Sequence, residues 1–340
     1  VFFPETRGRR AARQGSIPTV TADFSPAHES SGVGGDQPST IDLLFAAYGH
    51  LRDAWSELLR DENCDEAAPW RASGPVDADP DEVSRLLHIA TISADSAGIS
   101  VLHHLQLLAL AYPPDALTDA GLDPRGWPGL SSFSAARSLL EAASLLSWSL
   151  TPDKTERLRR CAQFQLWSAN EGSKSDLGPA PGGPGSVDEV RKTIEAAGFE
   201  VQEFGRYNDL GVVLDGQVKT FYTASAISKS LGEPGRRLYR WWSGIAHHAS
   251  WAVSPWRTLS LRDDSTGMYL STPNFEDKHL ELAADVAAVV LIAGRSLGDF
   301  HGKELRTFES TCQQVETVLR QAIPDVRRTL GRPGSDPTQH

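Results

Sequence analysis

Apolar residues recur at helical spacing along most of this chain. After Ser39, the residues Ile41, Leu44, Phe45, Tyr48, Leu51, Trp55, Leu58 and Leu59 follow the i, i+3, i+4, i+7 pattern of one buried helix face. Ser39 with Asp42 three residues on is a capping-box pair that fixes the start. Asp79-Pro80-Asp81-Glu82 marks a second start, with an acidic cap and proline in the first turn. The run from there to about Tyr112 is apolar on more than one side, which predicts a helix at the centre of a bundle, ended by Pro113-Pro114. Gly98 within it would kink it or admit a close neighbour. A third helix is expected at 132–150, and Thr151-Pro152 is expected to end it and cap a fourth at 153–171.

The pattern changes after residues 178–185, a Gly/Pro run that reads as a linker. Ser186 and Glu189 form a second capping box, opening a short helix that should close at Gly198. Val212-Val213-Leu214-Asp215-Gly216-Gln217-Val218 places an Asp-Gly pair between β-formers, the signal of a tight hairpin. Further helices are expected at 224–231, at 274–300 with Asn274 and Asp277 at its cap, and at 303–323 before Pro324. Residues 258–273 suit either a short strand pair or an ordered loop. The expected fold is mainly α, a multi-helix bundle with a small α/β hairpin-containing insertion. The expected organisation is a disordered N-terminal segment (1–38), a helical bundle (39–172), a Gly/Pro linker (173–185), a small α/β subdomain (186–232), helices completing the bundle (233–330) and a tail (331–340).

Composition narrows the classes. A formal net charge of −11 argues against nucleic-acid binding spread over the whole surface and leaves room for a local basic patch. The most apolar stretch, 282–297, contains Asp285 and Arg295 and reads as a core helix, so no membrane span is expected. Three scattered cysteines, Cys64, Cys161 and Cys312, suit a reducing cytoplasm and read as small buried hydrophobes. No Walker or dinucleotide glycine pattern occurs, and no cofactor is expected. Glu276-x-x-His279 is half of a di-iron helix pattern; with no second Glu-x-x-His it reads as a solvated first helical turn, and no metal site is expected.

Chemistry-capable residues gather in 233–253, expected as one helix from about 234 to 253. There Arg240 and His247 stand seven residues apart, so they point within about 20° of each other, with Ser243 and Gly244 between them. Leu238, Trp242, Ile245, Ala249 and Ala252 form the anchoring stripe, and His248 points elsewhere. Between 219 and 240, Lys219, Lys229, Arg236, Arg237 and Arg240 face a single acid, Glu233, a local reversal of the chain's sign. Arg236 and Arg237 would form a basic entrance and, with Arg240, hold an anion. An arginine can neutralise a phosphate while an imidazole moves a proton near neutral pH. A purely structural role would instead pair Arg240 with a carboxylate such as Glu141.

Arg240-x6-His247 resembles the Arg-x(4–6)-His pattern of the HEPN superfamily, helical proteins that include metal-independent ribonucleases. In those enzymes a polar residue usually follows the arginine; Trp241 stands there in this chain. The string Tyr239-Arg240-x-x-Ser243-x-x-x-His247, with Ala136-Arg137-Ser138-Leu139-Leu140-Glu141-Ala142 upstream, also resembles elements of uncharacterised helical proteins of actinobacteria. The HEPN resemblance implies Arg240 as phosphate holder, His247 as acid/base, Ser243 beside them, RNA as substrate and a homodimer. Two classes therefore stand open. One is a non-enzymatic or regulatory helical domain whose Arg/His face is structural or binds an anionic partner; the other is a HEPN-like ribonuclease. The helix-hairpin-helix order over 186–253 adds a winged-helix DNA-binding reading.

Overall fold

The computed structural model describes residues 39–60, 79–112, 131–174, 185–204, 209–214, 216–219, 221, 228–247, 249, 252, 257–262, 269–273 and 275–323. The expected N-terminal segment 1–38, most of the Gly/Pro run, the Asn274 cap, Cys64, His248, Trp251 and the 331–340 tail lie outside them. In chain order the elements are α1 (Thr40–Arg60), α2 (Pro80–Leu110), α3 (Ser131–Ser149), α4 (Lys154–Ser173) and α5 (Val187–Ala196). Three strands follow, β1 (Glu200–Phe204), β2 (Asp209–Leu214) and β3 (Gln217–Lys219), then a 3-10 turn at Ser228–Leu231 and α6 (Gly232–Ala246). The chain continues through β4 (Arg257–Arg262), β5 (Tyr269–Pro273), α7 (Phe275–His301) and α8 (Arg306–Ala322). The mainly helical fold with a small sheet is as expected.

Local signals fix most helix starts. The Ser39 backbone N–H and hydroxyl both reach Asp42, whose N–H returns to Ser39 Oγ at 3.2 Å. Asp79 Oδ1 accepts from the Asp81 N–H at 2.9 Å, with Pro80 opening α2. Ser186 and Glu189 close a complete capping box on α5. Gly198 just past α5 and Gly216 in the β2–β3 turn adopt φ of 86° and 72°, which side chains disfavour. At α4 the expected cap is corrected: Asp153, not Thr151, accepts from the Glu156 N–H, at 2.7 Å, and Pro152 lies outside the helix.

The β elements exceed the expectation. β1 joins the hairpin to make an antiparallel sheet in the order β1-β2-β3, with Val201 opposite Val212. The 258–273 stretch is a second antiparallel pair, β4–β5, with a register shift between Leu259 and Leu261.

Two apolar cores hold these elements. The larger draws on α1, the C-terminal half of α2, α3, the 3-10 turn, α6, α7 and α8. The smaller joins Val83, Leu86 and Leu87 of α2 to Leu158, Ala162 and Leu166 of α4, Val190 and Ile194 of α5, and Val201 and Val212 of the sheet. The sheet thus packs on α4 and α5, and α2 belongs to both cores. The central position, however, goes to α7. Most of its described side chains from Leu280 to Phe300 are buried, with Arg295 and Asp299 exposed and Glu281, Asp285, Ala288, Ile292 and Ser296 half-buried. The second apolar face of α2, Ile92, Ile99, Leu107 and Leu110, stays about half exposed or more, at 47–66%. Apolar periodicity marks such a face without stating whether another element covers it.

Close approach at α7 depends on a missing side chain. A Cβ on Gly294 would run into the Phe308 ring of α8, and that ring in turn meets Trp55 of α1 at 6.0 Å. Gly294→Ala should therefore lower stability by about 1–3 kcal/mol through overpacking. Gly172→Ala near the end of α4 meets nothing within 4 Å and should be neutral or slightly stabilising. Urea denaturation of the two variants checks the contrast, and equal midpoints would refute it.

Candidate functional site

α6 is the element that presents the candidate residues. Its apolar stripe Leu238, Trp242 and Ile245 is buried in the main core, and beyond the helix end Ala252 is buried there too with Ala249 packed against it. Gly235 lets its first turn lie directly on the 3-10 turn, where a Cβ would meet the Ser228 carbonyl. Ser230 Oγ ties that turn to α3 by donating to the Ser144 carbonyl at 2.9 Å. The helix is shorter than expected. It ends at Ala246, with His247 as its C-cap residue, and the Ala249 N–H donates to the Gly244 carbonyl at 2.8 Å. That is the six-residue closing bond of a Schellman turn, which satisfies a terminal carbonyl and replaces continued helix.

The opposite face of α6 is polar. Arg236, Arg240 and His247 are exposed and Ser243 is half-buried. Their spacing of four, three and four residues puts them in one line about 16 Å long. Arg237 lies to the side, close enough to Asp285 of α7 to favour its charged form. Asp285 nonetheless has its pKa raised, burial outweighing the ion pair that Arg320 of α8 makes at 3.1 Å and the more distant Arg237.

Arg240 and His247 share this line without being joined. Side chains on a helix lean toward its N-terminus, so Arg240 leans toward Arg236 and His247 toward Ser243. The guanidinium that meets His247 comes from α3. Arg137 Nη1 donates to His247 Nε2 at 3.1 Å, and Arg137 Nε donates to Glu141 Oε1 at 3.0 Å. Arg137 Cζ also lies 5.7 Å from the centre of the Tyr239 ring. A guanidinium has no acceptor, so His247 must present a lone pair at Nε2 and carry its proton on Nδ1. Glu141, the expected partner of Arg240, pairs instead with Arg137 one turn away. Both elements of the actinobacterial resemblance, 136–142 and 239–247, meet here. Arg137 was missed as a site residue, although an Arg and a Glu four apart on an expected helix is a readable local pair.

Charge at this end of α6 is balanced in a specific way. The last carbonyls of a helix carry partial negative charge and favour a nearby cation, which Arg137 provides. An anion would therefore be held by guanidinium groups and not by the backbone. Lys278 of α7 lies 6.0 Å from the Trp241 ring but is ion-paired with Glu281 at 2.6 Å.

A buried polar cluster lies around His279 at the start of α7. His279 is fully buried, correcting the reading of Glu276-x-x-His279 as a solvated turn. Tyr112 Oη lies 2.5 Å from His279 Nδ1 and Ser132 Oγ 3.4 Å away. Tyr112 stacks on Tyr48 at 5.7 Å, and Phe133 bridges His279 to Trp241. The His279 ring itself is enclosed by Tyr112, Ser132 and Phe133. Burial pushes the His279 pKa down to about 3 and that of Tyr112 well up. Cys161 and Cys312 are also buried, their thiols pushed up to about 12 by desolvation, and Cys161 Sγ donates to the Leu86 carbonyl. Both behave as the small hydrophobes expected.

Among the described residues no group of three or more His, Cys, Asp or Glu could hold a metal ion, and no helix is long and apolar enough to cross a membrane. The fold and face define a helical protein with a linear Arg/His surface on α6. The chain matches no family model, no curated protein and no solved structure.

His279 gives a pH prediction. Its folded-state pKa lies below the unfolded value of about 6.5, so the unfolded chain takes up the extra proton. Stability should fall as pH drops from about 6.5 toward 3, by an amount on the order of a few kcal/mol. Urea unfolding between pH 7 and 4 should show a shallower acid loss in His279→Gln than in wild type. Parallel curves would mean that another group carries the effect.

Proposed function

We propose that this chain is a non-enzymatic or regulatory helical domain that binds an extended anionic partner, RNA being the best fit, along the Arg236–Arg240–Ser243–His247 line. The observation that carries this reading is the exposure of two arginines and a histidine in one line, with Arg137 at its end, on a chain of net charge −11. An acidic protein that keeps such a row exposed has a local field opposite to its global one, which steers and holds polyanions. A line about 16 Å long suits successive phosphates of a strand better than one small ion. Arg237, beside Asp285, belongs to the entrance of the same surface.

One observation favours a second reading, a HEPN-like metal-independent ribonuclease. His247 is exposed and has a guanidinium within hydrogen-bonding distance of its ring nitrogen. In that reading Arg240 holds the scissile phosphate while His247 moves the proton of the attacking ribose 2′-hydroxyl, in a homodimer.

Fluorescence anisotropy with a labelled single-stranded RNA tests the binding reading. Arg236→Ala/Arg240→Ala should weaken binding by about tenfold or more and reduce the slope of log K against log salt by about 1.4, roughly 0.7 per lost phosphate contact. Binding by the double variant equal to wild type would sink it. Incubating RNA with wild type, Arg240→Ala and His247→Ala in chelator decides between the readings. Cleavage by wild type alone selects the nuclease; no cleavage by folded, RNA-binding protein selects the binding domain.

A further inference from the structure

The pairing of Arg137 with His247 is chemically incomplete for both partners, and this points to a device within the proposed anion face. A guanidinium offers five N–H donors in a planar fork that matches the oxygens of a phosphate. In this structure one of those donors is spent on a neutral imidazole nitrogen, which returns no charge. Glu141 supplies the only described carboxylate on Arg137, through Nε, and the pair is partly open to solvent, with side-chain exposures of 24% and 36%. A bond from guanidinium to a phosphate oxygen is charge-assisted at both ends and is roughly twice as strong as one to a neutral acceptor.

Orientation is already set. The Nε bond to Glu141 and the flank of the Tyr239 ring fix the guanidinium plane before any ligand arrives. Little rotamer freedom remains to be lost on binding. The bond to His247 lies at the surface, so an anion can reach it without opening the core.

We infer that Arg137 is a displaceable cap on His247. In the free protein it occupies the Nε2 lone pair; when a phosphate-class oxyanion binds the α6 line, the anion takes the Nη1 donor while Nε stays on Glu141, and His247 Nε2 is released beside it. The inference rests on the anion-binding reading and deepens it, adding a ligand residue from α3 and a rule for when the imidazole nitrogen becomes available. No covalent step is involved. One hydrogen bond is exchanged for another, and the tautomer of His247 is conserved unless the anion itself delivers a proton.

The test is side-chain 1H–15N NMR of the full chain, with His247 assigned by comparison with His247→Gln. Inorganic phosphate and a 2′-O-methyl RNA oligonucleotide are titrated separately against sodium chloride at matched ionic strength. The two arms distinguish free phosphate from the phosphodiester of a strand as the source of the oxyanion. In wild type, His247 Nε2 should begin as a hydrogen-bonded acceptor and shift saturably with at least one ligand, on the same isotherm that calorimetry gives, while chloride leaves it in place. In Arg137→Ala the Nε2 resonance should start displaced and lose most of its response, and affinity should fall about tenfold or more. Arg137→Lys, which keeps the charge without the fork, should recover part of the affinity and none of the starting Nε2 position.

A wild-type Nε2 signal that stays fixed at ligand saturation overturns the cap, independently of how any variant folds. Arg137→Ala binding as wild type, with loss confined to Arg236→Ala or Arg240→Ala, also overturns it and leaves the anion face standing. Absence of binding by either ligand to wild type removes the anion face and the cap together.

Discussion

Covering the long apolar face of α7 is the constraint that the helices around it satisfy together, while Glu281, Asp285, Ala288, Ile292, Arg295, Ser296 and Asp299 line its less buried side. Burying side chains from Leu280 to Phe300 takes contributions from α1, α3 and α8 at once. Gly294 lets the Phe308 ring of α8 seat against the helix, and Phe308 carries the contact on to Trp55 of α1. The same enclosure explains His279, which faces Tyr112, Ser132 and Phe133 where water would otherwise keep it titratable. The candidate face is a by-product of this packing. α3 covers α7 with one side, and another side, carrying Arg137, is left to meet α6.

What could be read from the sequence was local. Ser39 with Asp42, Asp79 with Pro80 and Ser186 with Glu189 are recognised within four residues and are formed, and the hairpin signal at Gly216 joins β2 to β3. The stripe Leu238, Trp242 and Ile245 was legible because a period of 3.6 is a property of one helix. The misses are non-local. β1 is a strand because Val201 finds Val212 across the sheet, not because of its own alternation. The apolar second face of α2 has the periodicity of a core helix but no covering element among the described residues. α6 stops at Ala246 through a bond from Ala249 to Gly244, and no proline or glycine announces it.

The candidate site shows the same division. Sequence placed Arg240 and His247 on one face, and the exposed line from Arg236 to His247 has that geometry. It did not place Arg137, 110 residues from His247, at the imidazole nitrogen. α3 packs on both α6 and α7, and such contacts between distant segments are not reported by helical spacing. The upstream segment 136–142 carries Arg137 on α3, and its contact with His247 appears only once α3 and α6 pack together.

Membership of α2 in two cores has a consequence for how the protein opens. Its first two turns share a core with α4, α5 and the sheet, and the Asp79 N–H donates to the Ala196 carbonyl at the end of α5. Its later turns belong to the main core, where the Trp55 indole donates to the Gly98 carbonyl. Release of the sheet and α5 would therefore fray α2 from its N-terminus only as far as the main core permits. The two cores thus meet on one continuous helix, and amide protection along α2 should rise stepwise from its first turns to its middle.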